Sequence, residues 1–251
     1  MGYDYTEKVV IVTGGGSGIG EACATTFAAA GGKVIVADFD EENGTRVTEA
    51  IEGMGGVATF VSVDVSKPEQ VEKMVAQAVA TYGGLHVAVN NAGIGGAQAP
   101  TGEYPIDSWH QVISTNLDGV FYGMRYEIPA MLEMGGGSIV NIASILGSVG
   151  FGNAPAYVAA KHGVVGLTKN AAIEYSAKGI RVNSVGPGFI STPLLEKNLD
   201  EATLQAIATM HPIQRLGTSQ EVAELVAFLG SDAAAFCTGG YYLVDGAYTA
   251  Q

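Results

Sequence analysis

Apolar positions along the chain fall into short runs that alternate with longer helical patterns. Valine, isoleucine and alanine dominate the runs that predict strands at Lys8–Thr13, Lys33–Asp38, Val57–Val63, Leu85–Asn90, Ser138–Ala143, Ile180–Val185 and Tyr241–Val244. Helices are predicted from Glu21 onward and at Glu41–Glu52, Pro68–Tyr82, Ile106–Glu133, Ala154–Ala177 and Ser219–Leu229. Near-continuous apolar strands are typical of parallel strands covered on both faces. The alternation predicts an α/β fold with a single doubly wound parallel sheet of about seven strands and helices on both faces.

Composition and glycine placement indicate one domain. The 251 residues are 47% hydrophobic and 15% charged, and no proline-rich linker or charge block marks a boundary, so we expect a single domain over residues 1–251. The 36 glycines cluster at predicted strand ends, namely at Gly14–Gly20, Gly93–Gly96, Gly135–Gly137 and Gly186–Gly188. A doubly wound sheet keeps its ligand loops at such ends, so these clusters indicate a binding crevice.

Charge narrows the range of partners. The chain has 12 basic and 25 acidic residues and a formal net charge of −13, which disfavours binding to nucleic acid or to an anionic membrane surface. No run approaches the ~18 apolar residues of a membrane span, and the first residues do not resemble a signal peptide. Cys23 and Cys237 form no metal-binding spacing and are expected to be reduced thiols. We therefore expect a cytoplasmic protein whose partners are small molecules or copies of itself.

A glycine-rich loop joins the first predicted strand to the first predicted helix. Its sequence, Thr-Gly-Gly-Gly-Ser-Gly-Ile-Gly, covers residues 13 to 20. Glycines at this junction let the backbone turn sharply, approach a pyrophosphate and present N–H groups at a positive helix terminus. The position of the loop predicts a Rossmann-like dinucleotide site whose contacts are Gly14, Ser17, Gly18, Ile19 and Gly20.

The second predicted strand ends in a carboxylate, Asp38. In a dinucleotide-binding fold this position meets the adenosine ribose, where Asp38 is able to accept hydrogen bonds from both hydroxyls. A 2′-phosphate would be repelled there, and neither Phe39 nor Gly15 offers a cation. The alternative is that Asp38 only caps the following helix. The residues favour NAD(H) over NADP(H).

Further motifs, in the order expected of the family, resemble the short-chain dehydrogenase/reductase family over nearly the whole chain. In addition to the glycine loop, these motifs are Asp64-Val65, Asn90-Asn91-Ala92-Gly93, Asn116, Ser144, Tyr157 with Lys161, and Gly186-Pro187-Gly188. The resemblance implies a catalytic set of Asn116, Ser144, Tyr157 and Lys161. It also implies cofactor contacts from Asp64, Val65, Asn91, Ala92, Gly93, Tyr157, Lys161, Pro187, Gly188, Ile190 and Thr192. Gly32 and Ala247 depart from the family pattern without touching this chemistry.

The chemistry explains why a tyrosine is followed by a lysine. Tyrosine titrates near ~10 in isolation, too high for efficient proton exchange at neutral pH. Lys161 lies four residues after Tyr157 and therefore on the same helix face. A positive charge at ~4 Å is worth up to about 4 kcal/mol at an effective dielectric of 20, or roughly 3 pKa units. We expect Lys161 to lower the pKa of Tyr157, the proposed general acid and base.

The family resemblance gives the other catalytic residues their roles. It implies that Lys161 also binds the nicotinamide ribose and that Ser144 holds the substrate oxygen. It further implies that Asn116 supports a helix carbonyl and a water, which link Lys161 to solvent.

The segment after Pro187, residues 188–212, is expected to form a lid over the substrate. Substrate contacts are expected from Ser144, Ile145, Leu146, Tyr157, Phe189, Leu194 and Leu195. Lys197 is the only lysine or arginine of the lid, so no group there converges on a carboxylate or phosphate. A neutral secondary alcohol or ketone fits best, and the chain resembles bacterial NAD-dependent secondary-alcohol dehydrogenases (ketone reductases).

Two alternatives stay open. A 3-oxoacyl-carrier-protein reductase would usually take NADP(H) and need a basic docking face, and Asp38 and the net charge of −13 argue against both. A non-catalytic NAD-binding redox sensor would be expected to have lost Tyr157 or Lys161, and both are present.

Assembly and a metal site follow from the family resemblance. The helices Ile106–Glu133 and Ala154–Ala177 resemble the pair that forms a four-helix dimer interface, and the apolar, aromatic tail implies a second interface. We therefore expect a D2 homotetramer. In the subgroup ending Tyr-Thr-Ala-Gln, the terminal carboxylate helps to bind a structural Mg²⁺, which assigns Gln251 as a candidate ligand. The alternative is a tail that only packs.

Overall fold

A parallel sheet forms the centre of the molecule in the computed structural model, which describes residues 3–192, 195 and 200–250. The strands are β1 (Val9–Thr13), β2 (Lys33–Asp38), β3 (Val57–Ser62), β4 (Val87–Asn90), β5 (Gly137–Ile142), β6 (Ile180–Pro187), β7 (Ile190–Ser191), β8 (Gly217–Thr218) and β9 (Tyr241–Val244). Seven of them form the main sheet in the order β3-β2-β1-β4-β5-β6-β9, and every pairing is parallel. The predicted seven-stranded, doubly wound sheet is confirmed.

Helices cover both faces of this sheet. They are α1 (Gly18–Ala29), α2 (Glu41–Gly53), α3 (Pro68–Tyr82), α4 (Ile106–Ile113), α5 (Gly119–Glu133), α6 (Pro155–Tyr175), α7 (Glu201–Thr209) and α8 (Ser219–Gly230). One core cluster joins the sheet to α3, α5 and α6, and the other joins it to α1, α2 and α8. Within the described residues, no helix is long and apolar enough to cross a membrane.

The strands are continuous apolar runs because both of their faces are covered. All five residues of β1 are buried. Val9 and Ile11 belong to the core cluster on one face, whereas Val10 and Val12 belong to the cluster on the other face. Alternate side chains of a strand point to opposite faces, so a strand packed on both sides must be apolar throughout.

The long helix predicted over Ile106–Glu133 is interrupted. A π-helical turn at Ser114–Asp118 separates α4 from α5. The turn directs Asn116 inward, where its side chain is fully buried and bonds the backbone of Ile94. The prediction missed the interruption because its cause is a tertiary partner, not a helix-breaking residue. Extra residues in a helical turn are common at functional sites.

Other boundaries differ by a few residues. Helix α1 begins at Gly18, earlier than the predicted Glu21, because Gly18 turns the chain with a φ of +54°. β1 begins after Lys8 and β3 ends before Val63, while β4 begins at Val87 and β5 is shifted by one residue. Strand β6 extends to Pro187, and α6 runs from Pro155 to Tyr175 before a short 3₁₀ turn. α2 and α8 each extend one residue beyond the prediction.

The strand order creates a crevice between β1 and β4. The chain adds β2 and β3 on one side of β1, then crosses back to add β4 on the other side. Connections therefore leave the carboxyl ends of β1 and β4 in opposite directions, and ligands of such sheets bind at this point. The loops that follow β1, β4, β5 and β6 supply the candidate site.

Candidate active site

The loop after β1 forms a cradle that only glycine backbone fits. Gly14 and Gly18 have φ values of +63° and +54°, which other residues rarely adopt. A Cβ on Gly20 would lie 1.9 Å from the carbonyl oxygen of Gly14. Within the described residues, no side chain caps α1 at Ser17, so the amides of its first turn are left for a ligand. This cradle fits the pyrophosphate of a dinucleotide.

Thr13 and Asn91 join the glycine loop to the turn after β4. The Thr13 hydroxyl accepts the N–H groups of Asn91, at 3.0 Å, and of Ala92, at 3.2 Å. In return, the Asn91 side-chain amide donates to the carbonyl oxygens of Thr13, at 2.9 Å, and Gly14, at 3.2 Å. The structure thus brings the predicted residues Gly14, Asn91 and Ala92 together. Thr13 was not assigned a role from the sequence, although it opens the glycine motif.

Asp38 lies at the edge of the same loop. Its carboxylate accepts the N–H of Gly16 at 2.8 Å through one oxygen and the N–H of Asp40 at 2.9 Å through the other. The side chain is therefore oriented by backbone groups at the carboxyl end of β2. An adenosine ribose seated beside the glycine loop would meet this carboxylate.

A cation that the sequence analysis missed lies on the other side of Gly16. Arg46 projects from α2 and donates to the Gly16 carbonyl oxygen at 3.0 Å. The same guanidinium forms a two-pronged ion pair with Glu21, at 2.8 and 2.7 Å. Arg46 lies eight residues after Asp38, in the next helix, so no motif around the strand end indicated it.

Asp64 and Val65 follow β3. The Asp64 carboxylate accepts both the N–H and the hydroxyl of Ser66, at 3.0 and 2.7 Å. Val65 is buried against α5, where a Cβ added to Gly119 would lie 2.9 Å from its side chain. These contacts fix the loop that the family resemblance assigns to the adenine.

Ser144 and Tyr157 meet beside the carboxyl end of β5. Ser144 follows the strand, and its hydroxyl accepts the N–H of Leu146 at 3.2 Å. Tyr157 lies in the first turn of α6, which begins at Pro155. Although part of the Tyr157 side chain is exposed, burial raises its pKa, and a side-chain hydrogen bond with Ser144 opposes the rise. The predicted pair is therefore brought together.

The position of the Lys161 ammonium group differs from one expectation. The ammonium group is buried and donates to the carbonyl oxygen of Ile142 at 2.8 Å, and it lies 5.5 Å from the centre of the Tyr157 ring. Burial lowers the pKa of Lys161 to about 8. The expected lowering of the Tyr157 pKa by Lys161 is not found, because the ammonium is turned toward a strand carbonyl and desolvation of the phenol dominates.

Asn116 and the Lys161 ammonium group both lie next to Gly93. The Asn116 side-chain oxygen accepts the N–H of Ile94 and its amide donates to the carbonyl of Ile94, both at 2.8 Å. A Cβ on Gly93 would lie 3.3 Å from the Asn116 oxygen and 3.8 Å from the Lys161 nitrogen. Both polar groups of the amide bind Ile94, so the side chain joins the π-helical turn to the turn after β4, and its expected support of a helix carbonyl and a water stays a prediction.

Tyr241, in β9, was also missed by the sequence analysis. Its hydroxyl donates a short hydrogen bond to the backbone carbonyl of Ser144. Burial raises the pKa of Tyr241, which keeps the phenol protonated as a donor. The two residues are 97 positions apart, and adjacent packing of β5, β6 and β9 brings them together.

The segment after β6 lies beside the glycine cradle and continues into the residues predicted to form the lid. The Gly188 N–H donates to Val244 at 2.9 Å, and Ile190 is buried beside β8. A Cβ on Gly18 would lie 3.3 Å from the Thr192 methyl group, so Thr192 touches the glycine loop. Gly188, Ile190 and Thr192 thus follow Pro187 along the chain past the cradle, and the cofactor contacts that the resemblance assigns to all four stay a prediction.

An aromatic cluster lies at the start of the segment predicted to form the lid. The Phe189 ring contacts the rings of Phe151, His211 and Tyr248 at centroid distances of 5.9, 5.7 and 6.0 Å. His211 is buried and accepts the Phe189 N–H through Nε2 at 3.2 Å, while its Nδ1 donates to Ile207 at 3.1 Å. This histidine therefore ties α7 to the end of β6.

The other predicted substrate and metal residues differ in burial, and two of them lie outside the described residues. Ile145 is 2% exposed and Leu146 7% exposed, so little of either side chain is available to a substrate. Leu195 is half-buried, whereas Leu194 and Gln251 lie outside the described residues. Within residues 3–192, 195 and 200–250, no three histidine, cysteine, aspartate or glutamate side chains are grouped to hold a metal.

Known proteins resemble this chain over nearly its whole length. A family model described as enoyl-(acyl carrier protein) reductase matches residues 14–249. Cyclohexanol dehydrogenase of Acinetobacter sp. (strain SE19) is 49% identical over 100% of this chain and 98% of that protein. Cis-4-hydroxycyclohexanecarboxylate dehydrogenase of Sinomonas cyclohexanicum is 42% identical over 100% of both chains. The crystal structure of levodione reductase superimposes on this chain with a TM-score of 0.95 and 38% sequence identity. The match covers 98% of this chain and 99% of that one.

Proposed function

The chain belongs to the short-chain dehydrogenase/reductase family, and on that premise we propose that it uses NAD(H) to interconvert a neutral cyclic secondary alcohol and its ketone. It is an oxidoreductase that acts on CH–OH groups. The observation that carries the proposal is the proximity of the Ser144 hydroxyl to the Tyr157 phenol, next to the buried Lys161 and the glycine cradle. We propose a single domain over residues 1–251, with a lid over residues 188–212.

Each residue of the site has its own role in the proposed reaction. The nicotinamide ring, when bound, supplies or accepts the hydride. The Ser144 hydroxyl holds the substrate oxygen, and the Tyr157 phenol gives that oxygen a proton in reduction or takes it in oxidation. Lys161, with a pKa of about 8, is able to exchange a proton with its surroundings near neutral pH. Asn116 positions the turn after β4 against which the nicotinamide would lie.

Asp38 supports NAD(H) as the cofactor. Its carboxylate is held at the ribose end of the cradle by the Gly16 N–H. A 2′-phosphate would place at least one further negative charge beside it, which favours the cofactor without that group. We expect kcat/KM for NADH to exceed that for NADPH by at least about tenfold, a difference of about 1.4 kcal/mol. Equal use of the two cofactors would contradict this part of the proposal.

The substrate class is supported by the relatives and by the lid. The names of two relatives specify a cyclohexanol and a hydroxycyclohexanecarboxylate, both six-membered rings with a secondary alcohol. In this chain the base of the lid is formed by the rings of Phe189, Phe151 and Tyr248. Arg215 lines a pocket with Phe189, but its guanidinium is engaged in a two-pronged ion pair with Glu221. We therefore propose a six-membered ring without a carboxylate.

A substrate panel tests the class. Steady-state rates with NAD⁺ should be measured for cyclohexanol, 4-hydroxycyclohexanecarboxylate and hexan-2-ol, an open-chain control with the same number of carbons. We expect the highest kcat/KM for cyclohexanol. A preference for the carboxylate would overturn the neutral class, and a preference for hexan-2-ol would overturn the ring. Reduction of an acetoacetyl thioester ahead of cyclohexanone would favour the 3-oxoacyl-carrier-protein alternative, and absence of all turnover would favour the redox sensor.

We also propose that the enzyme is a D2 homotetramer. Phe121 of α5 and Ile173 of α6 are 47% and 84% exposed, and Leu243 of β9 is 41% exposed. Burying such side chains against a second copy would stabilise the assembly. Light scattering should give the mass of four chains, and a monomer would contradict the proposal.

A structural Mg²⁺ at Gln251 and a cytoplasmic location complete the proposal. The metal rests on the family resemblance of the tail, so chelation by EDTA should lower the melting temperature and added Mg²⁺ should restore it. An unchanged melting temperature would contradict the metal site. The free thiols of Cys23 and Cys237 support a reducing compartment.

A further inference from the structure

Arg46 and Asp38 contact opposite ends of one residue in the cofactor cradle. The N–H of Gly16 donates to the Asp38 carboxylate at 2.8 Å. The carbonyl oxygen of Gly16 accepts from the Arg46 guanidinium at 3.0 Å. Gly16 therefore links the carboxylate proposed to bind the adenosine ribose to the Arg46 guanidinium.

Close backbone packing fixes the position of Arg46. A Cβ on Gly16 would lie 3.0 Å from the backbone nitrogen of Gly44, so the glycine loop rests directly on the first turn of α2. Gly44 in turn lies against the Phe60 ring, which a Cβ on Gly44 would approach to 2.1 Å. Arg46 follows Gly44 by two residues, so α2 holds the base of its side chain beside the loop.

Glu21 forms an ion pair with the Arg46 guanidinium. Its two carboxylate oxygens accept from Nη1 and Nη2 of Arg46 at 2.8 and 2.7 Å, and the remaining Nε donates weakly to Asn43 at 3.4 Å. The Arg46 and Glu21 side chains are 50% and 34% exposed, so the pair contributes little to stability. Its larger effect is to orient and neutralise the guanidinium.

We infer that Arg46 is a latent 2′-phosphate ligand and that Glu21, together with Asp38, sets the cofactor specificity of the enzyme. The inference rests on the proposed preference for NAD(H). A planar guanidinium suits phosphate oxygens better than any other side chain does. A 2′-phosphate beside Asp38 meets two carboxylates and one guanidinium whose terminal nitrogens are already engaged. Removing Asp38 alone leaves Arg46 neutralised, whereas removing Glu21 as well releases it.

The test compares cofactor binding in a set of variants, with Kd read from quenching of NADPH and NADH fluorescence. In an Asp38→Ser background, Glu21→Gln should tighten NADPH about tenfold and leave NADH within about twofold. Adding Arg46→Gln to this double variant should abolish the gain for NADPH. The single variant Glu21→Gln should show a smaller gain in the same direction, so the test does not depend on the folding of the multiple variants.

A matched ion pair supplies the control. Arg215 and Glu221 form the same two-pronged contact, at 2.9 and 2.6 Å, with side chains that are 49% and 41% exposed. Glu221→Gln in the Asp38→Ser background should leave the Kd of NADPH unchanged, because this pair does not contact the glycine loop. An equal gain from Glu221→Gln would mean a general charge effect and would overturn the inference.

Failure of the inference is distinguishable from failure of the proposed cofactor preference. If the unmodified enzyme binds NADPH as tightly as NADH, the preference fails and the inference fails with it. If the preference holds and Asp38→Ser narrows it, but Glu21→Gln adds nothing, only the inference is overturned. A gain that persists in the variant with Arg46→Gln also overturns it.

Discussion

Glu127 is a buried carboxyl group under the candidate site, and its replacement gives a quantitative test of the structure. The side chain lies on α5 and is fully buried. One oxygen accepts from the Asn90 side-chain amide at 3.0 Å. The other oxygen has no hydrogen-bond partner within the described residues. Burial raises the pKa of Glu127 from 4.5 to about 7.

This pKa makes stability depend on pH. Between pH 4.5 and about 7 the folded chain binds more protons at Glu127 than the unfolded chain does, so the free energy of unfolding falls as pH rises. At about 1.4 kcal/mol per pKa unit, the loss between about pH 5 and pH 8 amounts to about 2 to 3 kcal/mol. Glu127→Gln removes the titration and keeps an oxygen that accepts from Asn90.

The assay is urea unfolding of both proteins, followed by circular dichroism at equal protein concentration across this pH range. The variant should gain about 2 to 3 kcal/mol relative to the parent between about pH 5 and pH 8, whatever the fixed cost of an unpaired amide N–H. Glu133→Gln, on an exposed position of α5, is the control and should show no pH-dependent difference. A stability difference for Glu127→Gln that is constant with pH would refute the reasoning.

Three further changes test the core, the cradle and the substrate pocket. Phe27 is fully buried and its ring packs edge-on against Tyr5 at 4.7 Å, so Phe27→Ala should lower the free energy of unfolding by about 3 to 5 kcal/mol in the same assay. Gly20→Ala places a Cβ 1.9 Å from the Gly14 carbonyl and should weaken NADH binding at least about tenfold in a fluorescence titration. Tyr241→Phe removes the hydrogen bond to the Ser144 carbonyl, at a cost of about 1 kcal/mol, and should lower kcat about fivefold with an unchanged NADH Kd. Smaller effects in any of the three would contradict the corresponding contact.

The fold was predictable from sequence because its strands are buried on both faces. A strand such as β1 leaves a continuous apolar run, and the run at Tyr241–Val244 and the helix at Pro68–Tyr82 were predicted with their observed bounds. Pro68 begins its helix where a missing N–H costs nothing, and Gly83 ends it with a φ of +89°. Signals of this kind are local and therefore readable.

The parts of the site that were missed depend on contacts between distant residues. Arg46 contacts a loop 30 positions earlier, and Tyr241 contacts a strand end 97 positions earlier. The interrupted helix at Asn116 is explained by its bonds to Ile94, 22 positions earlier. The pKa of Tyr157 depends on burial and on where the Lys161 ammonium points, which residue spacing does not determine. Spacing identified the chemical groups, and the tertiary structure determined how they are paired.

The central claim is that Tyr157 exchanges the proton with the substrate oxygen, and the most direct measurement is the single-turnover rate of hydride transfer from bound NADH to cyclohexanone in Tyr157→Phe. The enzyme should be saturated with NADH, so that the rate reports the chemical step. Loss of the phenol oxygen should slow this step by at least about 100-fold, while the fold and the NADH Kd stay unchanged. A rate within about tenfold of the unmodified enzyme would place the proton donor elsewhere and contradict the assignment.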